Sequence, residues 1–393
     1  MLYFIGKTIK EVFIMGKGFL FRFLLCAFAV FCVQAFSFEY CGDYTFYYQS
    51  ATGEGYFSPT KTSSGFGSLL NIQMTKALTD NLEFTAHLVS AQGQGGEKLL
   101  NGYSFANFNT LADDNTGSIF NPFLAEFYLT YSFLDEKARV VAGKIEPLAY
   151  FDENAFANDE TTAFINKIFV NNVFLDTENK YCPAVVFDFC DSQVRYTFFI
   201  QFQEKRRLVF GNNGWEILET GKQGNFFQNL TVGFQVCYKT NFAGKEGNWR
   251  FYYYNNAHPH LPVFLNVSEP NSIPRTMNAA GFGISVDQYI GEDWGFFLRT
   301  GKSFDEVYSM SEFFTFGMKL PCLFSPKGYW LFAFGKLSGE SMLEIKSEQY
   351  WEAQWQIDFK SDFMFAVDFQ YISNLNGELS RIKVVTARLG FFF

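Results

Sequence analysis

Trp351-Glu352-Ala353-Gln354-Trp355-Gln356-Ile357-Asp358-Phe359 alternates apolar and polar side chains at every step. Successive side chains of a β-strand point to opposite faces, so this segment predicts a strand with one apolar and one polar face. The same period of two recurs in 122–134, 194–204 and 362–373. In 122–134 the predicted apolar face includes Phe123, Ala125 and Phe127. A strand of this kind separates water from an apolar phase.

The chain contains sixteen candidate strands, and each is long enough to cross a bilayer when it is tilted. They cover residues 38–49, 65–76, 81–92, 122–134, 137–147, 182–191, 194–204, 224–239, 247–257, 278–290, 294–303, 312–321, 328–337, 348–359, 362–373 and 382–393. Short turns alternate with long polar connections, which is typical of an outer-membrane barrel with short periplasmic turns. The predicted fold is therefore all-β, a 16-stranded antiparallel transmembrane β-barrel.

The composition favours the same class. Aromatic residues make up 20% of the 393 residues, with 53 Phe and 21 Tyr. A soluble core does not need this many rings, whereas a lipid-facing β surface with aromatic girdles does. The formal net charge of −9 argues against a nucleic-acid partner.

The first 35 residues have the pattern of a secretory signal. A basic region precedes the apolar run 23–33, and small residues at the end of the segment fit cleavage near Ala35. We predict a signal peptide over 1–35, with Met15 as an alternative start, followed by a barrel over 36–393. The last strand ends in Phe391 and Phe393, which we interpret as a signal for the outer-membrane barrel assembly machinery.

The connection 148–181 is far longer than an ordinary loop and rich in apolar residues, so it is predicted to pack against something. Asp159 can cap a short helix that has Phe164 and Ile168 on one face. Counting strands makes this connection the third outer loop. We predict that it folds into the barrel as a partly helical constriction loop whose key residues are Phe151, Asp152, Asn154, Phe156, Asn158, Asp159, Glu160, Phe164 and Asn166. A surface loop with its own small apolar cluster is the alternative.

This stretch resembles the carbohydrate-selective porins of the OprB family. The resemblance rests on Gly143-Lys144, Tyr150-Phe151-Asp152, the run Asn154 to Thr161, Phe164-Ile165-Asn166 and Asn171-Asn172. It implies passive diffusion of sugars or other small hydrophilic solutes across the outer membrane of a Gram-negative-type bacterium. Because porins commonly trimerise, it also makes a homotrimer one expected assembly.

The polar strand faces predict the pore wall. Its predicted pore-lining and substrate-binding residues are Glu126, Lys144, Glu146, Arg195, Arg250, Tyr252, Tyr254, Arg299, Glu352, Asp368 and Arg388. Mixed charge signs argue against strong ion selectivity, where rings of one sign are expected. An anion-selective or general porin, and a surface adhesin without transport, remain the alternatives.

Catalysis and cofactor binding are not expected. The chain has three His, and it contains no metalloprotease motif, nucleophile elbow or phosphate-binding loop. We therefore predict a protein without enzymatic activity, cofactor or bound metal.

Overall fold

A computed structural model describes residues 38–54, 61–93, 122–175, 181–203, 206–211, 214–219, 230–261, 277–304, 307–322, 327–339, 346–359, 362–375 and 380–393. Sixteen strands form one closed barrel in which every neighbouring pair is antiparallel. They are β1 Glu39–Glu54, β2 Lys61–Thr79, β3 Leu82–Gly93, β4 Phe123–Phe133, β5 Ala138–Ile145, β6 Cys182–Asp191, β7 Val194–Phe202, β10 Leu230–Phe242, β11 Lys245–His260, β12 Met277–Tyr289, β13 Gly295–Ser303, β14 Met310–Pro321, β15 Gly328–Gly339, β16 Glu348–Asp358, β17 Phe363–Ser373 and β18 Arg381–Phe392. The predicted barrel and its strand number are confirmed.

Two further strands are not part of the barrel wall. β8 (Arg206–Gly211) and β9 (Gly214–Glu219) form a separate two-stranded sheet in the connection between β7 and β10. This hairpin was not predicted from the sequence. The predicted signal peptide lies outside the described residues. Within those residues, the structure has no helix long and apolar enough to span a membrane.

The barrel closes where the first and last strands meet. β1 pairs with β18 over twelve positions, from Asp43 opposite Phe392 to Glu54 opposite Arg381. Gly42 and Phe393 exchange two backbone hydrogen bonds of 2.9 and 3.0 Å. Closure leaves no unpaired edge at this seam, which a strand in lipid requires. Phe391 and Phe393 are on the outer face, and their role in assembly stays a prediction.

The two faces of the strands differ as the alternation predicts. On β16 the outward Trp351 is 52% exposed, whereas the adjacent Glu352 is 2% exposed. Outward rings recur around the barrel, so the outer surface is apolar where lipid would contact it. The inner face carries the polar members of the alternation, among them Thr197, Gln235 and Gln354, which are all fully buried.

A β-bulge changes the faces at the start of β4. The pairing of β3 with β4 shifts between His87 and Leu88, so two residues of β4 oppose one step of β3. Ala125 is therefore fully buried on the inside together with Phe123, and Leu124 is exposed. The prediction that Phe123 and Ala125 face outward was wrong, because a bulge inverts the parity of the residues that precede it.

Short turns gather at one end of the barrel. Ala243 and Gly244 connect β10 to β11 with φ angles of 51° and 80°, the left-handed pair that a two-residue hairpin needs. The side chain of Asn241 accepts a 2.9 Å hydrogen bond from the Gly244 amide. Long connections leave from the other end, and one of them folds back into the barrel.

Candidate functional site

The connection between β5 and β6 lies inside the barrel. We call its described part, residues 146–175, the inward loop. Four of its phenylalanines are almost completely buried: Phe151, Phe164, Phe169 and Phe174. Burying each such ring contributes about 2 kcal/mol, which is enough to hold an otherwise irregular segment against the wall.

The rings of the inward loop pack on rings of the inner wall. Phe151 contacts Phe199 of β7 and Tyr252 of β11, with ring centroids 4.9 and 5.0 Å apart. Phe164 lies 5.5 Å from Phe297 of β13. On β12, Phe156 packs near Tyr289, and Asn154 Nδ2 donates a hydrogen bond to Ser285. The following residues of the loop make hydrogen bonds with β16 and β18. The loop therefore covers the β7 to β18 side of the wall.

The helix of this loop begins later than predicted. Asp159 forms a turn by accepting hydrogen bonds from the amide and hydroxyl of Thr161, at 2.8 and 2.6 Å. The only helical turn of α-type in the described loop is α1 (Lys167–Val170), capped by Asn166. The predicted helix at Asp159 was wrong. The carbonyls that its continuation would use are bound by an arginine from the far side of the barrel.

That arginine is Arg388 of β18. Its Nη1 donates to the carbonyls of Glu160 and Thr161, the latter at 3.3 Å, and its Nη2 donates to the Ala163 carbonyl at 2.8 Å and to Gln354. The side chain is fully buried. A guanidinium presents donors in a fixed fork, so it sets the path of the loop through three carbonyls between residues 160 and 163.

Arg299 of β13 holds the next part of the loop. Its Nε donates to Asp152 Oδ1 at 3.2 Å, and its Nη2 donates to the Asp152 carbonyl at 2.9 Å. Nη1 donates to the carbonyl of Ala157 at 2.9 Å and to that of Phe169, and Nη2 also donates to Asn158. Burial raises the pKa of the Asp152 carboxyl, and the charge of Arg299 opposes that shift.

Glu352 of β16 supplies the matching acceptor. Its two carboxylate oxygens accept from the amides of Ile165 and Asn166 at 2.7 and 3.0 Å. Asn166 also donates to Gln370, which in turn donates to Asp368 at 3.0 Å. Glu352 and Asp368 are 2% exposed or less. These residues were predicted to line the pore, and the structure places them beneath the loop.

Three more predicted wall residues lie under the loop. Arg250 is paired with Asp287 and is 5% exposed, while Tyr252 and Tyr254 are 4% and 0% exposed. Their side chains do face inward, as the alternation predicted. Their polar groups are occupied by the wall or covered by the loop, so a solute in the passage does not reach them.

Lys144 is not on the inner face. Its Cα is paired with those of Phe127 and Pro183, and Phe127 is 47% exposed on the outer surface. The Lys144 ammonium donates to the Leu124 carbonyl at 2.6 Å. Glu146 begins the inward loop, and its amide donates to Glu126 Oε1 at 2.9 Å. The register of β5 therefore removes Lys144 from the pore wall.

The wall opposite the covered side is open. Gln73 and Glu83 have Cα partners, His87 and Thr130, whose side chains point into the barrel, yet both are exposed. Exposure on the inner face means that the interior beside β2 and β3 is not filled. We call the space between these exposed residues and the inward loop the passage; beside it, the inner face of β1 to β4 carries a buried apolar cluster of Tyr47, Leu69, Val89, Ala91 and Ala125.

One side of this passage carries a network of four charged residues. Asp188 of β6 accepts from Arg139 Nε at 2.7 Å, from Arg195 Nη2 at 2.9 Å and from the Thr197 hydroxyl at 2.6 Å. Arg195 Nη1 donates to Glu153 of the inward loop at 3.0 Å. Two cations and two anions balance each other. We call Arg139, Asp188, Arg195 and Glu153 the arginine network.

Arg139 is the most accessible member of the arginine network, since 38% of its side chain is exposed. Its guanidinium lies 5.3 Å from the centroid of the Tyr150 ring. Of this network, only Arg195 was predicted from the sequence to line the pore. A signal was available, because Arg139 and Asp188 are charged residues at inward positions of strands that are mostly apolar.

The other side of the passage is acidic. Asp43 of β1 accepts two hydrogen bonds from Asn71, at 3.1 and 3.3 Å. His87 Nδ1 lies 3.2 Å from Glu126 Oε2. Asp159 of the inward loop is exposed. In the part of the chain that is described, no three such residues are grouped in a way that would hold a metal ion.

The fold is similar to that of solved porins. The chain matches Pseudomonas putida OprB, in its high-pH structure, with a TM-score of 0.72 and 12% identity over 91% of this chain and 94% of that one. An anion-selective porin from Comamonas acidovorans matches with a TM-score of 0.57 and 10% identity, covering 91% and 99%. These likenesses establish the porin fold, so the resemblance expected from residues 143–172 is confirmed at the level of the fold.

Sequence comparison adds one curated relative. An uncharacterized protein of Aquifex aeolicus is 26% identical over 229 residues, which are 56% of this chain and 59% of that protein. The chain thus spans somewhat more than half the length of this relative. No family model matches the sequence.

Proposed function

We propose that this chain is a porin of the outer membrane of a Gram-negative-type bacterium, through which small hydrophilic solutes, and sugars first among them, diffuse passively. The observation that carries the proposal is the barrel's cross-section. An apolar outer surface encloses an interior rich in polar side chains, and the inward-facing Gln73, Glu83 and Arg139 stay exposed where the inward loop does not cover them. Such a passage lets water and solutes cross while lipid stays outside.

The residues of the passage favour an uncharged solute. The arginine network is balanced, and the amides, hydroxyls and carboxylates around it offer both donors and acceptors. A sugar exchanges its hydrogen bonds with water for bonds with such groups and leaves again easily. Tyr128, which is half-buried on the inner face of β4, adds a ring on which a sugar can pack.

An anion-selective pore is the second candidate, since one of the matched structures is described as an anion-selective porin. The pairing of the wall arginines argues against it here. Arg250 is bound to Asp287, Arg299 to Asp152, and Arg195 to Asp188 and Glu153. A ring of uncompensated cations, which anion selectivity requires, is not formed by the described residues.

A barrel that serves as an adhesin without transport is the third candidate. Its interior would be filled with side chains, as in small closed barrels. The exposed inward-facing Gln73 and Glu83 favour transport over this reading. The proposal includes no enzymatic activity. Partners consistent with it are the outer-membrane lipids, the barrel assembly machinery and further copies of the chain in a trimer.

The test is solute entry into liposomes that carry the purified protein, with bilayer conductance measured on the same sample. Sugars of increasing size are compared with salts of similar size. Sugar flux above the size trend with modest conductance supports a carbohydrate porin. High conductance without sugar preference indicates a general or ion-selective porin. Absence of both removes the transport function and leaves the adhesin reading.

A further inference from the structure

A groove of about 450 Å³ runs along the outer surface of β14 to β17. Its floor is Ala353 of β16, whose Cα partners are Phe332 on β15 and Phe369 on β17. Trp351 stands beside it on the same face. These three aromatic residues are 41 to 55% exposed. The groove exists because Ala353 has only a methyl group, whereas the side chains around it are aromatic rings.

Cations surround one end of this groove. Lys336 is two residues beyond Phe334 on β15 and therefore on the same outer face. Lys383 of β18 is paired with Tyr371, which lines the groove. Arg381 lies two residues before Lys383 on the same face of β18, closer to the end of the strand. All three cations are exposed.

These cations are not neutralised within the part of the chain that is described, where no ion pair to Lys336, Arg381 or Lys383 is formed. The contrast is Lys302 of β13, another outward lysine at the same end of the barrel. Its ammonium lies 2.5 Å from Glu312 of β14. Glu54 of β1 lies opposite Arg381, and no ion pair between these two described residues is formed. The three cations outnumber this carboxylate, so the groove ends in net positive charge, whereas the neighbouring lysine is paired.

The charged end is the end from which the long connections leave. β15 ends at Gly339 and β16 begins at Glu348, and β17 and β18 are separated by residues 374–380. The opposite end of these strands carries the short turn between Asp358 and Phe363. If the barrel has the orientation of a porin, the cations lie at the outer leaflet, with the apolar groove below them.

We infer that this groove is a binding site for one outer-leaflet lipid whose headgroup carries two phosphate groups. An acyl chain fits the apolar groove, and the phosphates fit the cations. Lys336 and Arg381 share one row of paired residues with Gln349 and Ser373 between them. They are three strands apart, about 14 Å. A single phosphate cannot reach both positions, whereas a headgroup with two separated phosphates can.

The inference rests on the proposed placement in an outer membrane, but not on which solute the pore passes. Clusters of Lys and Arg at a membrane surface attract anionic lipid headgroups, and each cation adds to the affinity. The polar Gln349 and Ser373 can bind the uncharged part of the headgroup. A second copy of the chain is the competing occupant of the groove.

The test is native mass spectrometry of the full-length protein in detergent, with diphosphoryl lipid A, monophosphoryl lipid A and phosphatidylglycerol as probes. We expect one tightly bound diphosphoryl lipid A. The triple variant Lys336→Gln, Arg381→Gln, Lys383→Gln should bind it at least about tenfold more weakly. Ala353→Trp, which fills the groove, should also weaken it. Lys302→Gln, the matched control, should bind like the wild type.

Equal binding of all three lipids, or unchanged binding in the triple variant, would overturn the inference. So would a loss as large in Lys302→Gln, since that would indicate a general charge effect. If Ala353→Trp changes the oligomeric state and leaves lipid binding intact, the groove is a contact between copies instead. Sugar flux of the triple variant, measured in liposomes, separates failure here from failure of the proposed function.

Discussion

Arg299 of β13 and Asp152 of the inward loop form an ion pair in which both side chains are fully buried, 147 residues apart in the chain. The guanidinium also binds three loop carbonyls and the side chain of Asn158. A predicted pore-lining arginine therefore acts on the loop and does not face the solute. The width of the passage follows from contacts of this kind.

Arg299→Met should release the middle of the inward loop. Removing one partner of a buried pair leaves the other charge without compensation and costs about 3–5 kcal/mol. Asp152 would stay buried with the Asn172 amide but without its paired cation, and the carbonyls of Ala157 and Phe169 would lose their donor. We expect a larger and noisier single-channel conductance, together with unfolding at a lower urea concentration.

The double variant Arg299→Met, Asp152→Leu distinguishes the charge from the hydrogen bonds. Replacing both charges with apolar groups removes the uncompensated carboxylate, so stability should recover in part. The carbonyls stay without their donor, so the conductance should remain high. If conductance returns to the wild-type value in the double variant, the pair alone positions the loop. Wild-type conductance in the single variant would refute the anchoring role.

Replacing residues 150–174 by a short Gly-Ser linker should widen the passage further. The deletion removes five buried phenylalanines and uncovers Arg388 and Arg299 together with Glu352. Conductance should rise by about twofold or more, since the loop fills one side of the interior. Larger sugars should then enter liposomes. Unchanged conductance in a correctly folded variant would show that the loop does not limit the pore.

The barrel could be predicted from sequence because the period of two is a local property. In a strand such as β7 or β16, the alternation of about ten residues is enough to show which side chains share a face. Sixteen such strands favour a closed barrel over other all-β folds. Local rules failed where a neighbouring strand decides the outcome. The bulge opposite His87 and Leu88 moves Ala125 to the inside, and the register with Phe127 moves Lys144 to the outside.

The candidate site was harder to predict because its contacts are long-range. The turn at Asp159 does not become a helix, since Arg388 binds the carbonyls of Glu160, Thr161 and Ala163 from 225 or more residues away. No pattern within the loop carries this information. The sequence predicts which side chains point into the barrel. It does not predict which of these side chains are covered by another segment of the chain. Arg195 therefore remains in the passage while Arg299 does not.

Gly283→Ala should disturb the loop from the wall side. A Cβ at Gly283 would lie 2.2 Å from the ring and hydroxyl of Tyr252, whose hydroxyl accepts a 3.1 Å hydrogen bond from Asn172. Tyr252 must move, and its contact with Phe151 moves with it. We expect a loss of about 1–3 kcal/mol of stability and an altered conductance.

Gly335→Ala is the matched control for Gly283→Ala. Its Cβ would approach side-chain atoms of Ile168 and Phe169 no closer than 3.1 Å, so small adjustments can accommodate it. The control should lose little stability when urea unfolding is followed by fluorescence. Equal losses in the two variants would show that the close approach of Tyr252 to Gly283 has no special importance.

Arg139→Gln should change the ion selectivity of the passage, because it removes the most exposed cation of the arginine network. Asp188 and Glu153 then outweigh Arg195, and Asp43 and Glu126 across the passage are acidic already. The reversal potential in a salt gradient should shift toward cations. The matched control is Arg250→Gln with Asp287→Asn, which removes a pair that is covered and neutral. It should leave the reversal potential unchanged. If the control shifts selectivity as much as Arg139→Gln does, the wall beneath the loop is accessible to ions, and the assignment of the passage to the β1 to β6 side is wrong.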